Sequence, residues 1–176
     1  MSVYTKITQI EIETHLKKYD LGKMINFSGI SEGIENTNYS LKTEKGSFIF
    51  TIFEQIKGNK INEYLLFMNH TSQAGLLCPE VIRSKNKKLF LIIKSKPCAI
   101  IKKLNGLSVK KTTKSHCRQI GEALAQFHLS GSNYKSKLEN TRGIDWVKKS
   151  LSKLRKLVTQ PQKDLIESAF EVQKDF

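Results

Sequence analysis

The chain has 176 residues, room for one large or two small domains at roughly 150 residues each. Thirty Lys and Arg against sixteen Asp and Glu leave it at +14, and 39% apolar with 26% charged residues excludes collagen-like, coiled-coil, mucin-like and disordered classes. The longest aliphatic or aromatic run is five residues, Leu89 to Ile93, against the ~20 of a membrane helix, and Glu11 and Glu13 interrupt any signal-peptide core, so the expected compartment is the cytoplasm.

Thr8 followed by Glu11 is a capping-box pattern, and Ile7 and Ile12 stand where a hydrophobic staple belongs. A helix is predicted to open at Thr8, turn Ile12, Leu16 and Tyr19 to one face and close at Gly22. The period then falls to two. Ile25 and Phe27, then Tyr39 and Leu41, then Phe48, Phe50 and Ile52 predict a three-stranded antiparallel meander with turns at Gly29 to Gly33 and Glu44 to Gly46. Ile61, Tyr64, Leu65 and Met68 return to helical spacing, with Asn59 or Asn62 as cap and Gly75 as stop. Two or three strands follow: Val81 and Ile82, a turn at Lys85 to Lys87, Leu89 to Ile93, and Ala99 to Ile101. Beyond Asn105-Gly106 only helices are predicted, one from Thr113 with Cys117, Ile120, Leu124 and His128 on a stripe ending at Gly131, one beginning at Trp146, and one opened by Pro161.

An α+β chain is therefore expected, with a boundary near Asn105 dividing residues 1–105 from 106–176. A sheet holding one inserted helix, followed by helices, is the layout of a protein-kinase-like small lobe and the start of its helical lobe. Cys78, Cys98 and Cys117 form no C-x-x-C pair and are expected to be buried thiols rather than disulfide or zinc ligands. His116 and Cys117 are adjacent, about 100° apart on a helix, and cannot form a nucleophile and base pair. His128 is expected to be a buried support and Trp146 a core residue. Glu63 could pair with a cation or lie solvated.

From Val81 to Gly121 the sequence has twelve Lys or Arg and no acidic residue. Such a stretch attracts anions, and nucleic acid, a small phosphorylated ligand or a solvated lysine surface each fit it. With only four arginines, and with abundant Ile and Asn, the lysine excess also matches the drift of an AT-rich genome.

The segment Gly29-Ile30-Ser31-Glu32-Gly33-Ile34-Glu35-Asn36-Thr37-Asn38-Tyr39 is neither G-x-G-x-x-G nor a Walker A loop, but glycines here allow backbone N–H groups close to phosphate oxygens. Together with Gly46 to Glu54, Gly75 to Pro79, Lys96 to Val109, His116 to Gly131 and Leu138 to Trp146, it resembles the homoserine kinases of the aminoglycoside and choline phosphotransferase superfamily. The resemblance runs from Tyr4 to about Trp146 in one register. It implies ATP and L-homoserine as substrates, Mg²⁺ as cofactor and a place in threonine biosynthesis. It lays Gly33, Ile34, Glu35, Asn36, Thr37 and Asn38 over the phosphates, with Asn36 nearest in pattern, and makes Lys102, Lys103 and Leu104 the hinge beside adenine. At the third strand it departs from the kinase pattern. Thr51 stands where kinase-like folds usually carry a Lys, and Lys57 and Lys60 lie beyond the strand.

Kinases of this superfamily carry a catalytic Asp with an Asn five positions later, then a second Asp for metal. None of Asp20, Asp145, Asp164 or Asp175 has that Asn, and Asp175-Phe176 only superficially resembles the metal motif. No catalytic or metal residue is therefore expected here. The resemblance implies the N-terminal part of a longer enzyme, inactive alone. Another acceptor, aminoglycoside or choline-type, is the alternative within the superfamily. A basic nucleic-acid-binding or regulatory module is the alternative outside it.

Overall fold

A computed structural model describes residues 4–56, 58–135 and 140–174. Lys57, Leu138 and Asp175-Phe176, named above, lie outside the described residues.

Helix α1 (Gln9–Leu16) opens as its sequence requires, with the Glu11 N–H donating to the Thr8 hydroxyl at 3.3 Å and the Thr8 N–H to the Glu11 carboxylate at 2.8 Å. It stops at Leu16, short of Gly22, because the Lys18 and Tyr19 N–H groups bond back to His15 and Leu16 in a tight turn. That turn still delivers Tyr19 and Leu21 to the core.

Strands β1 (Met24–Ile30), β2 (Asn36–Thr43) and β3 (Gly46–Phe53) form the predicted meander. After α2 (Asn59–Gln73) come β4 (Val81–Ile82), β5 (Leu91–Ile93) and β6 (Lys96–Lys102), and the sheet order is β1-β2-β3-β6-β4, with β5 also paired to β6. A register shift between Met24 and Asn26 rotates Ile25 outward. Ile25 is 60% exposed and does not share Phe27's face, because the extra residue breaks the alternation. The residue before α2 is Gly58 (φ 56°), so Asn59 and Asn62 lie inside the helix rather than capping it, while Gly75 (φ 86°) follows its end.

Directly paired strand residues share a face. Leu41 with Phe48, Tyr39 with Phe50, Phe50 with Ile100 and Ile52 with Cys98 build the core face under Ile12 and Leu16 of α1. Phe53, Ala99 and Val81 turn to the opposite face, where Ile61 and Leu65 of α2 cover them. Both faces of the central strands are thus apolar, but α2 covers only part of the second one.

Helix α3 (Lys114–Ser132) is capped by Thr113, with His116 closing a reciprocal box. It rests on α2 through the edge contact of Phe67 with Phe127 and a 2.8 Å bond between His70 Nε2 and the Ser130 carbonyl. The helix runs past Gly131. Its stripe of Cys117, Ile120, Leu124 and His128 is exposed, which corrects the expectation of a buried His128 and a buried Cys117. The contact with α2 comes instead from the neighbouring stripe holding Phe127. Cys98 is buried and Cys78 half-buried.

Residues up to Lys137 form one compact unit and Leu138 onward another. The second contains α4 (Ile144–Leu154) and α5 (Gln160–Lys174), with Pro161 in the first turn of α5 as expected. Trp146 is not core. It is 49% exposed, and the Arg142 guanidinium lies over its ring at 5.8 Å. Among the described residues no helix is long and apolar enough to cross a membrane.

Candidate nucleotide site

The register places two rows of side chains on the α2 side of the sheet. Ile30, Asn38, Thr51 and Ala99 pair across β1, β2, β3 and β6; Ser28, Ser40, Ile49, Ile101 and Val81 pair one step further along. Val81 and Ala99 are covered by α2, whereas Asn38, Ser40, Ile49 and Ile101 are half-buried. The result is a partly apolar floor. The turn 31–35 bounds it at one end, and the segment Lys102, Lys103 and Leu104 adjoins it at the other.

Gly33 gives the turn its shape. Its φ of 116° disfavours any side chain, and a Cβ there would stand 3.3 Å from Asn38 Nδ2. The Asn38 amide is held from the other side by the Thr51 hydroxyl, which donates to Asn38 Oδ1 at 2.9 Å. Thr51 therefore supplies no charge; it fixes the amide group whose Nδ2 lies near Gly33. Ile34 and Glu35 are exposed on the turn, and Asn36, paired with Phe53, falls by alternation on the same side as Asn38.

Thr37 points the other way. It pairs with Ile52, is fully buried, and donates its hydroxyl proton to the Glu54 carboxylate at 2.6 Å. On the α2 side Thr37 offers no side-chain group, and its backbone pairs with Ile52 in β3. Lys102 and Lys103 are exposed, their N–H groups tied to the Glu80 and Ser47 carbonyls, and Leu104 is exposed beside them. Lys60 is exposed in the first turn of α2.

Several cations of the acid-free stretch are engaged structurally. Lys85 and Arg83 bond the Lys17 and Lys87 carbonyls, Lys94 pairs with Glu11, and Lys96 pairs with Glu54. Glu63 is half-buried. Sequence reasoning passed over Thr5, Glu54 and Lys96, although Glu54, an acidic residue closing the apolar strand run Phe48 to Phe53, was the available signal.

Burial decides the chemistry of the other titratable groups. His15 Nε2 lies 3.4 Å from Cys98 Sγ, but burial pushes the imidazole down to about 4 and the thiol up to about 12, so both are neutral at pH 7 and the pair holds no thiolate. Among the described residues no three His, Cys, Asp or Glu side chains cluster to hold a metal ion. The magnesium implied by the resemblance finds no such ligand cluster among the described residues. Grooves of about 430 to 560 Å³ lie between α4 and α5, beside β5, and beside α1.

The antiparallel sheet with its inserted helix defines the small lobe of a protein-kinase-like fold. It matches the structure of amicoumacin kinase hAmiN in complex with AMP-PNP, Ca²⁺ and Ami at a TM-score of 0.68 and 16% identity, covering 97% of this chain and 53% of that one. Spectinomycin phosphotransferase APH(9)-Ia matches at a TM-score of 0.58 and 15% identity, covering 88% of this chain and 60% of that one. The sequence pattern of the phosphotransferase enzyme family covers residues 26–175, and the chain belongs to that family.

Among curated proteins it is similar to the homoserine kinase of Caulobacter vibrioides, 40% identical over 144 residues that cover 81% of this chain and 45% of that protein. The homoserine kinase of Methylobacillus flagellatus is 30% identical over all 176 residues, 55% of its own length. The chain spans about half the length of the curated relatives it matches.

Proposed function

We propose that this chain is the ATP-holding part of a homoserine kinase, a cytoplasmic enzyme that transfers the ATP γ-phosphate to the hydroxyl of L-homoserine in threonine biosynthesis. The observation that carries the nucleotide assignment is the half-buried floor of Ser40, Ile49 and Ile101 between a glycine turn and the Lys102 to Leu104 segment. Phosphoryl transfer asks a protein mainly to position and neutralise a polyanion, and a backbone turn over a partly apolar floor serves the positioning half of that task.

In this reading Ile49 and Ile101 receive the adenine beside Lys102, Lys103 and Leu104. The N–H groups of Gly33, Ile34 and Glu35 in the turn face the phosphates, and Asn36, Thr37 and Asn38, whose backbones pair with β3, carry that turn, with the Asn38 side-chain amide as an additional donor. Thr51 keeps that amide in place. The boundary near Asn105 then divides the nucleotide lobe from the helices that follow. The base and the Mg²⁺ ligands are assigned to no residue described here, and the homoserine acceptor rests on the relatives at 30 to 40% identity.

The test is ADP release by the natural protein that contains this chain, supplied with ATP and one alcohol at a time. L-homoserine should drive release, while choline and spectinomycin should not. Release driven by choline or spectinomycin and not by homoserine would overturn the acceptor and leave the phosphotransferase class standing.

A further inference from the structure

The β1–β2 turn is fastened from the side opposite the nucleotide floor. Tyr4 donates its Oη proton to the Ile34 carbonyl at 3.1 Å, so the start of the chain touches the turn itself. The N–H groups of Tyr4 and Thr5 both donate to Thr37 Oγ1 at 3.0 Å. Thr37 in turn donates to Glu54 Oε1, which also accepts the Thr5 hydroxyl proton at 2.8 Å, while Lys96 Nζ donates to Thr5 Oγ1 at 2.8 Å and pairs with Glu54 Oε2. A second tie runs through Tyr39, whose hydroxyl accepts from the Ile7 N–H and donates to the Thr5 carbonyl.

The Glu54 side chain is 8% exposed. Burial alone would raise its pKa, but the bonds from Lys96, Thr37 and Thr5 outweigh that and hold the carboxyl below its ordinary value. A buried carboxylate with every partner in place is rigid, and losing one partner leaves a costly orphan.

From this geometry we infer that Tyr4, Thr5, Thr37, Glu54 and Lys96 form a positioning strap that sets the height of the Gly33 to Asn38 turn over the nucleotide floor. In this arrangement the five side chains bond one another and the turn rather than the floor. They act through the turn, and this inference rests on the nucleotide reading above. Thr37 is the link, since its backbone is the second residue of β2, directly after the turn, while its hydroxyl belongs to the strap.

Two readouts separate the strap from that reading. Hydrogen exchange of the turn amides in the ligand-free 176-residue chain reports the strap alone; titration with a fluorescent ATP analogue reports its consequence. Tyr4→Phe, at an exposed side chain, and Thr37→Val should each speed exchange across residues 31–38 while α2 amides stay protected; nucleotide binding should weaken by about fivefold in Tyr4→Phe, the worth of one lost hydrogen bond, and by more in Thr37→Val, which loses the bonds to Glu54 and to the Tyr4 and Thr5 N–H groups. Thr37→Ser should restore both. Unchanged turn exchange in both variants overturns the strap, as does faster exchange with undiminished nucleotide affinity. If the unsubstituted chain binds no nucleotide, the nucleotide reading fails, and the exchange data alone then decide whether the strap fixes the turn.

Discussion

Phe50 in β3 and Leu124 in α3 both occupy apolar stripes that spacing makes plain, yet Phe50 is fully buried and Leu124 is 52% exposed. The difference is general to the two regions. Between Ile12 and Ile100 the stripes of α1, the sheet and α2 meet one another and close two clusters, whereas neither α3 nor α4 contains a buried residue. Periodicity reports that an element has an apolar face; what covers that face is a separate fact.

Stability measurements sharpen this contrast. Phe50→Ala should cost about 3–5 kcal/mol in urea unfolding, because a ring is removed from a site sealed on all sides. Leu124→Ala should cost under ~0.5 kcal/mol, as an exposed substitution does. Equal costs at the two positions would break the comparison.

Acid probes the same core. The folded state holds His15 neutral with its pKa near 4, against 6.5 when unfolded, so the unfolded chain gains its proton first as pH falls. Stability is complete above about pH 6.5 and should decline by on the order of 2 kcal/mol toward pH 4, a loss that His15→Leu removes. Urea midpoints at pH 7 and 4.5 in both proteins check this. An identical decline in the variant would assign it to the carboxylates instead.

Gly22 offers a smaller effect. Its φ is 71°, and an added Cβ would lie 2.6 Å from Glu44 Oε2, so Gly22→Ala should cost about 1–2 kcal/mol through strain and displacement of Glu44 from the Lys23 N–H. Smallest of all should be Arg155→Ala, which removes an exposed pair with Glu167 and should leave the thermal midpoint unmoved within error.

The β1–β2–β3 meander and the cap at Thr8 were legible because each depends on residues near in sequence, whereas the pairing of β3 with β6 was not. The quoted segments from Gly29 to Trp146 carried the family. Less local facts were not legible. The shift that turns Ile25 outward depends on pairing with β2, and the exposure of His128 and Trp146 depends on what packs against their helices. At the site, the sequence marked the turn from Gly33 to Asn38 but could not say that Thr37 faces away from Asn38. That assignment required the register against Ile52 and Thr51. Nor could spacing reveal that Glu54 and Lys96, 42 residues apart, meet Thr5 under the same turn.

The nucleotide assignment is tested most directly by mapping amide shifts of the chain by NMR as AMP-PNP is added. The account predicts changes at residues 31–40, 49–51 and 101–104, with α1 and the α4–α5 pair unmoved. Shifts confined to the lysine-rich surface, or none at saturating ligand, would contradict it.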